Sequence, residues 1–198
     1  EDSNFKLASG DLNLTSFKNS YYDPQGDTLY KRSEYLVPGS VHTENKMSYK
    51  YGYLEIRAKV PYKEGCWPSF WLRSHNSTEK QANPDFEVEV DVLEVFGSKD
   101  TMSSNLHQQS YNGNSYNTST SSINDMEVHT FENASNLSQE YHTYAFEWEP
   151  DRMAIYVDGE LQCEWNIDRV SLWSYGLKAN ITGFDTTMNI LFNNHLFT

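Results

Sequence analysis

Residues Phe86-Glu87-Val88-Glu89-Val90-Asp91-Val92-Leu93-Glu94 decide the reading of this chain. From Phe86 to Val92 the segment alternates strictly between apolar and acidic side chains, the pattern of a strand with one apolar and one acidic face. Like charges crowded on one strand face repel, so an ordinary strand rarely accumulates them. Glu89 and Asp91 share a face by parity. Glu94 lies five positions from Glu89 and in an unbroken strand would point into the apolar layer, where an unpaired carboxylate is costly. One extra residue, a β-bulge near Val92-Leu93, returns Glu94 to the acidic face. The backbones of Glu89 and Glu94 are then about 13 Å apart at the usual strand rise. Leaning side chains narrow that gap towards the roughly 5 Å between the two carboxyl groups of a retaining glycosidase. On spacing alone, an exposed acidic strand and a cation site remain open beside catalysis.

The 198 residues suffice for one domain with a true core, and 37% hydrophobic content argues against wholesale disorder. Aromatics reach 15%, more than a core of this size holds, and exposed aromatic faces suit the apolar faces of sugar rings. The formal charge is −13 and no basic stripe is visible. Nucleic acid and anionic membranes are therefore poor partners, because both demand neutralisation of phosphate. A neutral or weakly charged substrate fits better. No apolar run approaches the roughly 20 residues of a membrane span. The chain opens on Glu1-Asp2-Ser3 and reads as mature or trimmed. Cys66 and Cys163 have no metal-site spacing and are expected to be unpaired, although export would allow them to bond. Six Asn-X-Ser/Thr sequons, at Asn13, Asn76, Asn117, Asn133, Asn136 and Asn180, agree with a secreted, cell-surface or periplasmic protein.

Strand signals dominate the rest. Residues 11–15, 52–60 and 141–149 alternate, 67–73 reads as an aromatic strand after a turn at Gly65, and Asp158-Gly159 is a hairpin turn between runs at 153–157 and 160–165. A strand is expected near 105–111 with a long loop after it, a last short strand at 188–192, and one short helical turn over 168–175. Neither a repeat nor a linker interrupts the chain. It reads as a single catalytic domain over 1–198, with truncation at either end left open. Many short strands between turn signals point to an all-β sandwich or barrel.

Glu89-Val90-Asp91-Val92-Leu93-Glu94 resembles the bulged signature of glycoside hydrolase family 16. The segments Tyr51–Pro61, Gly65–Leu72 (with Trp67-Pro68-Ser69-Phe70-Trp71) and His142–Asp151, the last followed by Tyr156-Val157-Asp158-Gly159, resemble that family's flanking blocks in the same order. The resemblance covers roughly residues 40 to 165. It implies a concanavalin A-like jelly roll of two curved antiparallel sheets, with a glycan cleft on the concave face. It also implies retaining, endo-acting hydrolysis of a β-linked polysaccharide. A monomer is the expected state of the chain. Glu89 would be the nucleophile, Glu94 the general acid/base, and Asp91 the hydrogen-bonding neighbour between them. Crowded carboxylates raise one another's proton affinity, so one stays protonated while another is ionised.

Trp67, Trp71 and Trp148 are candidate sugar platforms, with packing between the sheets as the alternative for each. His107 falls where this family often has a cleft histidine and is a candidate for substrate binding, with a structural role as the alternative. Arg73 is a candidate for sugar hydroxyls or acidic groups, as is Arg57, and Glu87 shares the parity of Glu89. The chemistry requires no cofactor and no metal. A structural Ca²⁺ on the outer face is compatible with the resemblance, although no ligand cluster stands out. The family's usual opening Trp-rich strand and its closing partner strand are not evident, and Asn193-Asn194 lacks the Gly-Gly common in β-1,3-glucanases. The substrate expectation is a β-1,3 or mixed β-1,3/1,4-glucan, with a red-algal galactan (agar, porphyran or carrageenan) as the alternative. Transglycosylation on the same machinery and a non-catalytic carbohydrate-binding module of the same fold stay open as well.

Overall fold

The structure is a computed structural model that describes residues 4–21, 33–74, 86–97, 101–110, 129–132, 134–166, 171–174, 177–180 and 183–196. Its main feature is a pair of antiparallel sheets. The first has six strands: β5 (Gly39–His42), β7 (Cys66–Arg73), β8 (Phe86–Val95), β9 (Thr101–Ser110), β10 (His129–Glu132) and β16 (Asn189–Leu196). They lie in the order β10-β9-β8-β7-β16-β5, so the acidic strand β8 is interior, with a hydrogen-bonded neighbour on each side. The second sheet has four: β6 (Gly52–Ala58), β11 (His142–Trp148), β12 (Arg152–Val157) and β13 (Glu160–Asn166), in the order β13-β12-β11-β6. Three two-stranded ribbons complete the described elements: β1 (Phe5–Ala8) with β2 (Asp11–Leu14), β3 (Phe17–Tyr21) with β4 (Ser33–Val37), and β14 (Ser171–Ser174) with β15 (Leu177–Asn180).

Period-2 alternation builds the sandwich. On the six-stranded sheet Phe70, Leu72, Val88, Val90, Val92, Leu93, Val95, Met102 and Leu106 are all buried. From the other sheet Tyr144, Phe146, Trp148, Met153, Ile155 and Trp165 join the same cluster. Asp158 and Gly159 both have positive φ, 52° and 80°, as the tight turn between β12 and β13 requires.

Two sequence expectations need correcting. Ser171–Ser174, placed in a short helical turn, form strand β14, paired in register with β15. Leu172 and Trp173 are β-compatible residues, and pairing with Trp173 opposite Lys178 overrides any local helical preference. The closing strand, expected at 188–192, runs on to Leu196 and pairs with β7 on one side and β5 on the other. It is polar at Asn189 and Asn193 because one of its faces is not core, and Asn194, on the parity of Ile190 and Phe192, breaks the apolar side as well, so it reads poorly as a strand. The loop expected after residue 111 lies outside the described residues.

The bulge occurs where parity demands it. Asp91 pairs with Asn105 and Glu94 with Ser103, so Val92 and Leu93 together face Ser104. The register with β7 slips at the same place, between Phe70 opposite Leu93 and Trp71 opposite Asp91. Val92 and Leu93 are both buried, while Glu94 turns to the face of Glu89. A bulge disrupts the local ladder. Here the Ser104 hydroxyl donates to the Val92 carbonyl at 2.8 Å in a fully buried setting. Beyond the strand, Gly97 N–H donates to the Cys66 carbonyl at 3.0 Å, which ties the end of β8 to the start of β7. A Cβ on Gly97 would meet the Lys63 carbonyl oxygen at 1.8 Å, so the close approach demands glycine.

Ser104→Ala leaves the Val92 carbonyl buried without that donor. The substitution is expected to cost about 1–3 kcal/mol of stability. Urea unfolding with an unchanged m-value and a lower midpoint is the signature to look for.

Candidate active site

Three rungs across β7, β8 and β9 define the polar face of the six-stranded sheet. Glu89 sits between Arg73 and His107, Asp91 between Trp71 and Asn105, and Glu94 between Ser69 and Ser103. On β16, Asn189, Leu191, Asn193 and His195 extend these rows opposite Arg73, Trp71, Ser69 and Trp67. Direct cross-strand partners share a face, so strand pairing alone brings all these side chains together.

The carboxylates are held by specific donors. Trp67 Nε1 donates to Glu94 Oε1 at 2.9 Å. The Trp67 ring stacks on Phe96 at 5.1 Å and lies 5.5 Å from the His195 ring. Trp71 Nε1 donates to Asn193 Oδ1 at 2.6 Å. Asp91, only 4% exposed, meets His107 Nε2 through Oδ2 at 2.7 Å. Asn105 Nδ2 is drawn 3.1 Å from the same ring nitrogen. An Asn105 amide turned with its oxygen to that nitrogen is compatible with a proton on Nε2.

Burial and crowding set the proton affinities. Desolvation first, and then the negative charge of Asp91, push Glu89 up to about 7, while His107 and Arg73 pull the other way. The same two causes, in the same order, push Glu94 up to about 8, against the Trp67 hydrogen bond and the charge of His107. Burial alone would make the His107 imidazole neutral. The Asp91 hydrogen bond and the charges of Asp91, Glu89 and Glu94 outweigh it and raise the ring to about 9. The arrangement therefore offers one carboxyl that holds its proton to higher pH than its neighbour on the same strand face, which is the division of labour that acid/base chemistry with a nucleophile needs.

Glu89, Asp91, Glu94, Trp67, Trp71, Arg73 and His107 all come together here. Trp148 does not. It lies on the other sheet, is 1% exposed, and packs against Tyr49, Tyr51 and Phe146. Its alternation within β11 was right, but the apolar side of that strand faces the core, so Trp148 is no sugar platform. Arg57 is also remote from the site, stacked over the Tyr141 ring at 4.4 Å. The Glu87 side chain lies outside the described residues. Asn105 and Asn193 were missed. The signal for Asn193 was its parity with Asn189, opposite to that of Ile190 and Phe192.

Cys66, half-buried, and Cys163, buried, do not form a disulfide with each other. Among the described residues, the grouping with metal-ligand character is Glu89, Asp91 and His107, whose nearest ligand atoms lie within 4.8 Å of one another. Its shortest contact, Nε2 to Oδ2, has the length of a charge-assisted hydrogen bond. A cavity of about 500 Å³ opens elsewhere, between ribbon β1-β2, β6 and the edge of the core, and none of the three acids lines it.

Comparison with known proteins places this geometry. The chain is 29% identical over 158 residues to glucan endo-1,3-beta-glucosidase A1 of Niallia circulans, a match covering 79% of this chain and 21% of that protein. It is 29% identical over 143 residues to a beta-glucanase of Rhodothermus marinus, covering 72% of this chain and 46% of the relative. The chain thus spans less than half the length of either. A solved structure from work on endo-acting O-glycanases, which prominent members of the human gut microbiota express to initiate mucin breakdown, superposes with a TM-score of 0.70 at 27% identity, covering 99% of this chain and 67% of that one.

Titration of the site carboxyls, followed by carbon NMR, is expected to proceed in two macroscopic steps near pH 7 and pH 8. Trp67→Phe removes a donor to the ionised form of Glu94, so the upper step should move to higher pH while the lower one stays close to its place.

The model for glycosyl hydrolases family 16 matches residues 9–175, and the chain belongs to that family, with its jelly-roll sandwich fold.

Proposed function

We propose that this protein is an endo-acting, retaining glycoside hydrolase that cleaves a β-1,3 or mixed β-1,3/1,4-glucan. The observation that carries the reading is the bulge at Val92-Leu93, which turns Glu94 to the face of Glu89 with Asp91 between them. Glu94, protonated, donates to the glycosidic oxygen as the bond breaks, and the Glu89 carboxylate attacks the anomeric carbon to form a glycosyl ester. Glu94, now ionised, takes a proton from water, which attacks that carbon and releases Glu89. Net configuration is retained and no metal takes part in any step. Asp91, bonded to His107, lies between the two glutamates, and its charge raises the proton affinity of both.

The glucan assignment is supported by the names of the two relatives above. The charges of the site favour a neutral glycan over a sulfated one. Of the cationic groups on the central rungs, Arg73 lies across from Glu89, and His107 is bonded to Asp91. Trp67 and Trp71, both half-buried on the site face, suit the apolar faces of glucose rings. A polymeric substrate is too large to cross a membrane, so we infer that the protein works outside the cytoplasm. The mucin-directed neighbour motivates a second substrate class, a mucin O-glycan, as an outcome of the same test.

Laminarin, barley β-glucan, agarose, porphyran and mucin O-glycans should be incubated with the protein in parallel. Oligosaccharides from the first two are expected. Products only from a galactan or from mucin would move the specificity, and products from none would favour a binding module. Glu94→Gln should lower kcat on natural glycans by about 10²–10⁴. For the wild-type protein kcat/KM should fall below about pH 7 as Glu89 protonates and above about pH 8 as Glu94 loses its proton.

A further inference from the structure

We propose that His107 is a positioning residue: as an imidazolium it fixes Asp91 through an Nε2–H···Oδ2 hydrogen bond and gives the Glu89 carboxylate a positive neighbour on the β9 side. The sequence suggested a sugar-binding histidine at this place. The geometry points elsewhere. Nε2 is taken up by Asp91 at 2.7 Å, and the side chain is only 27% exposed. His107 is also the direct cross-strand partner of Glu89, with Arg73 in the equivalent place on β7. The nucleophile is thus flanked by one cation from each adjacent strand, in a face that otherwise carries three acids.

Among the described residues, the charged groups on the rungs around His107 are three carboxyls and one arginine. β8 presents Glu89, Asp91 and Glu94 to it. β7 presents Arg73, beyond Glu89. Its own strand presents the neutral Asn105 amide. β10 reaches only as far as the partner of Ser104, so no residue of that strand lies across from His107. Three carboxyls against one ring favour the charged imidazole even though burial opposes it.

The two possible roles separate kinetically. A sugar contact made equally in ground and transition states moves KM. An imidazolium that stabilises ionised Glu89 moves the acidic limb of the pH profile, because without it Glu89 ionises only at higher pH. This role rests on the hydrolase reading, so the first readout is independent of turnover.

The pH titration of the His107 ring in the wild-type protein, by nitrogen and carbon NMR, is expected to show both nitrogens protonated at pH 7. The ring should titrate lower in Glu89→Gln, which removes one facing charge. A ring that is neutral at pH 7 overturns the proposal. In His107→Gln, which keeps a donor but loses the charge, the acidic limb of kcat/KM should rise by about one pH unit. At neutral pH kcat should fall about tenfold with KM within about twofold. An unmoved acidic limb with a raised KM alone assigns a sugar contact and also overturns it. Should His107→Gln not fold, the wild-type titration decides alone. A high ring pKa in a protein that cleaves no glycan would sink the hydrolase reading while leaving the charged clamp on Asp91 in place.

Discussion

Everything at the site depends on fitting six residues, Glu89 to Glu94, between two neighbours that allow only five positions. Strand β8 is interior to its sheet, so its ladder is constrained from both sides, by β7 and by β9. Both registers slip at Val92-Leu93. Without the slip, Glu94 would enter the layer occupied by Val90, Val95 and Phe146, where an ionised carboxylate would be prohibitively desolvated. With it, two consecutive aliphatic side chains enter the core together, and the Ser104 hydroxyl takes up the carbonyl that the irregularity strands. The site is therefore a by-product of a packing solution that is stable only because Val92 and Leu93 are both buried.

Charge is the second constraint. Burial first, and then the negative charge of Asp91, raise the proton affinity of Glu89 and Glu94. Left unopposed, this would hold both glutamates protonated to still higher pH. Arg73 and His107 on the first rung and the Trp67 N–H on the third oppose it unequally. Glu89 receives two cations, whereas Glu94 receives an indole donor and a more remote imidazolium. The resulting order, with Glu94 holding its proton to higher pH, follows from position on the rungs and needs no special property of either side chain.

The sequence made the central part of this legible because strand parity is a hard rule. Glu89 and Glu94 stand five apart with aliphatic residues at 92 and 93, and only a bulge reconciles those facts. Alternation also located β6 and β11, aromatic content after Gly65 located β7, and the Asp158-Gly159 turn located the β12-β13 hairpin. Parity, however, says which residues share a face and not what lies opposite that face. Trp148 shows the difference: its strand alternates as clearly as β6, yet its aromatic side meets the core. Short strands such as β5 and β10 have too few residues to establish a period. In β16, Asn193 and Asn194 obscure a strand that is interior to the sheet, because their partners, the Trp71 indole at the Asn193 side chain and the Ser16 hydroxyl at the Asn194 carbonyl, become neighbours only after folding.

The most direct test of the account is the stereochemistry of cleavage. Two carboxyls acting from one strand face through a glycosyl ester must return the sugar in its original configuration. Proton NMR of the first minutes of hydrolysis of a β-glucan, before mutarotation, is predicted to show the β-anomer of the new reducing end accumulating first. Early appearance of the α-anomer would mean direct displacement by water, and would contradict the assignment of Glu89 and Glu94 as nucleophile and acid on a single linkage.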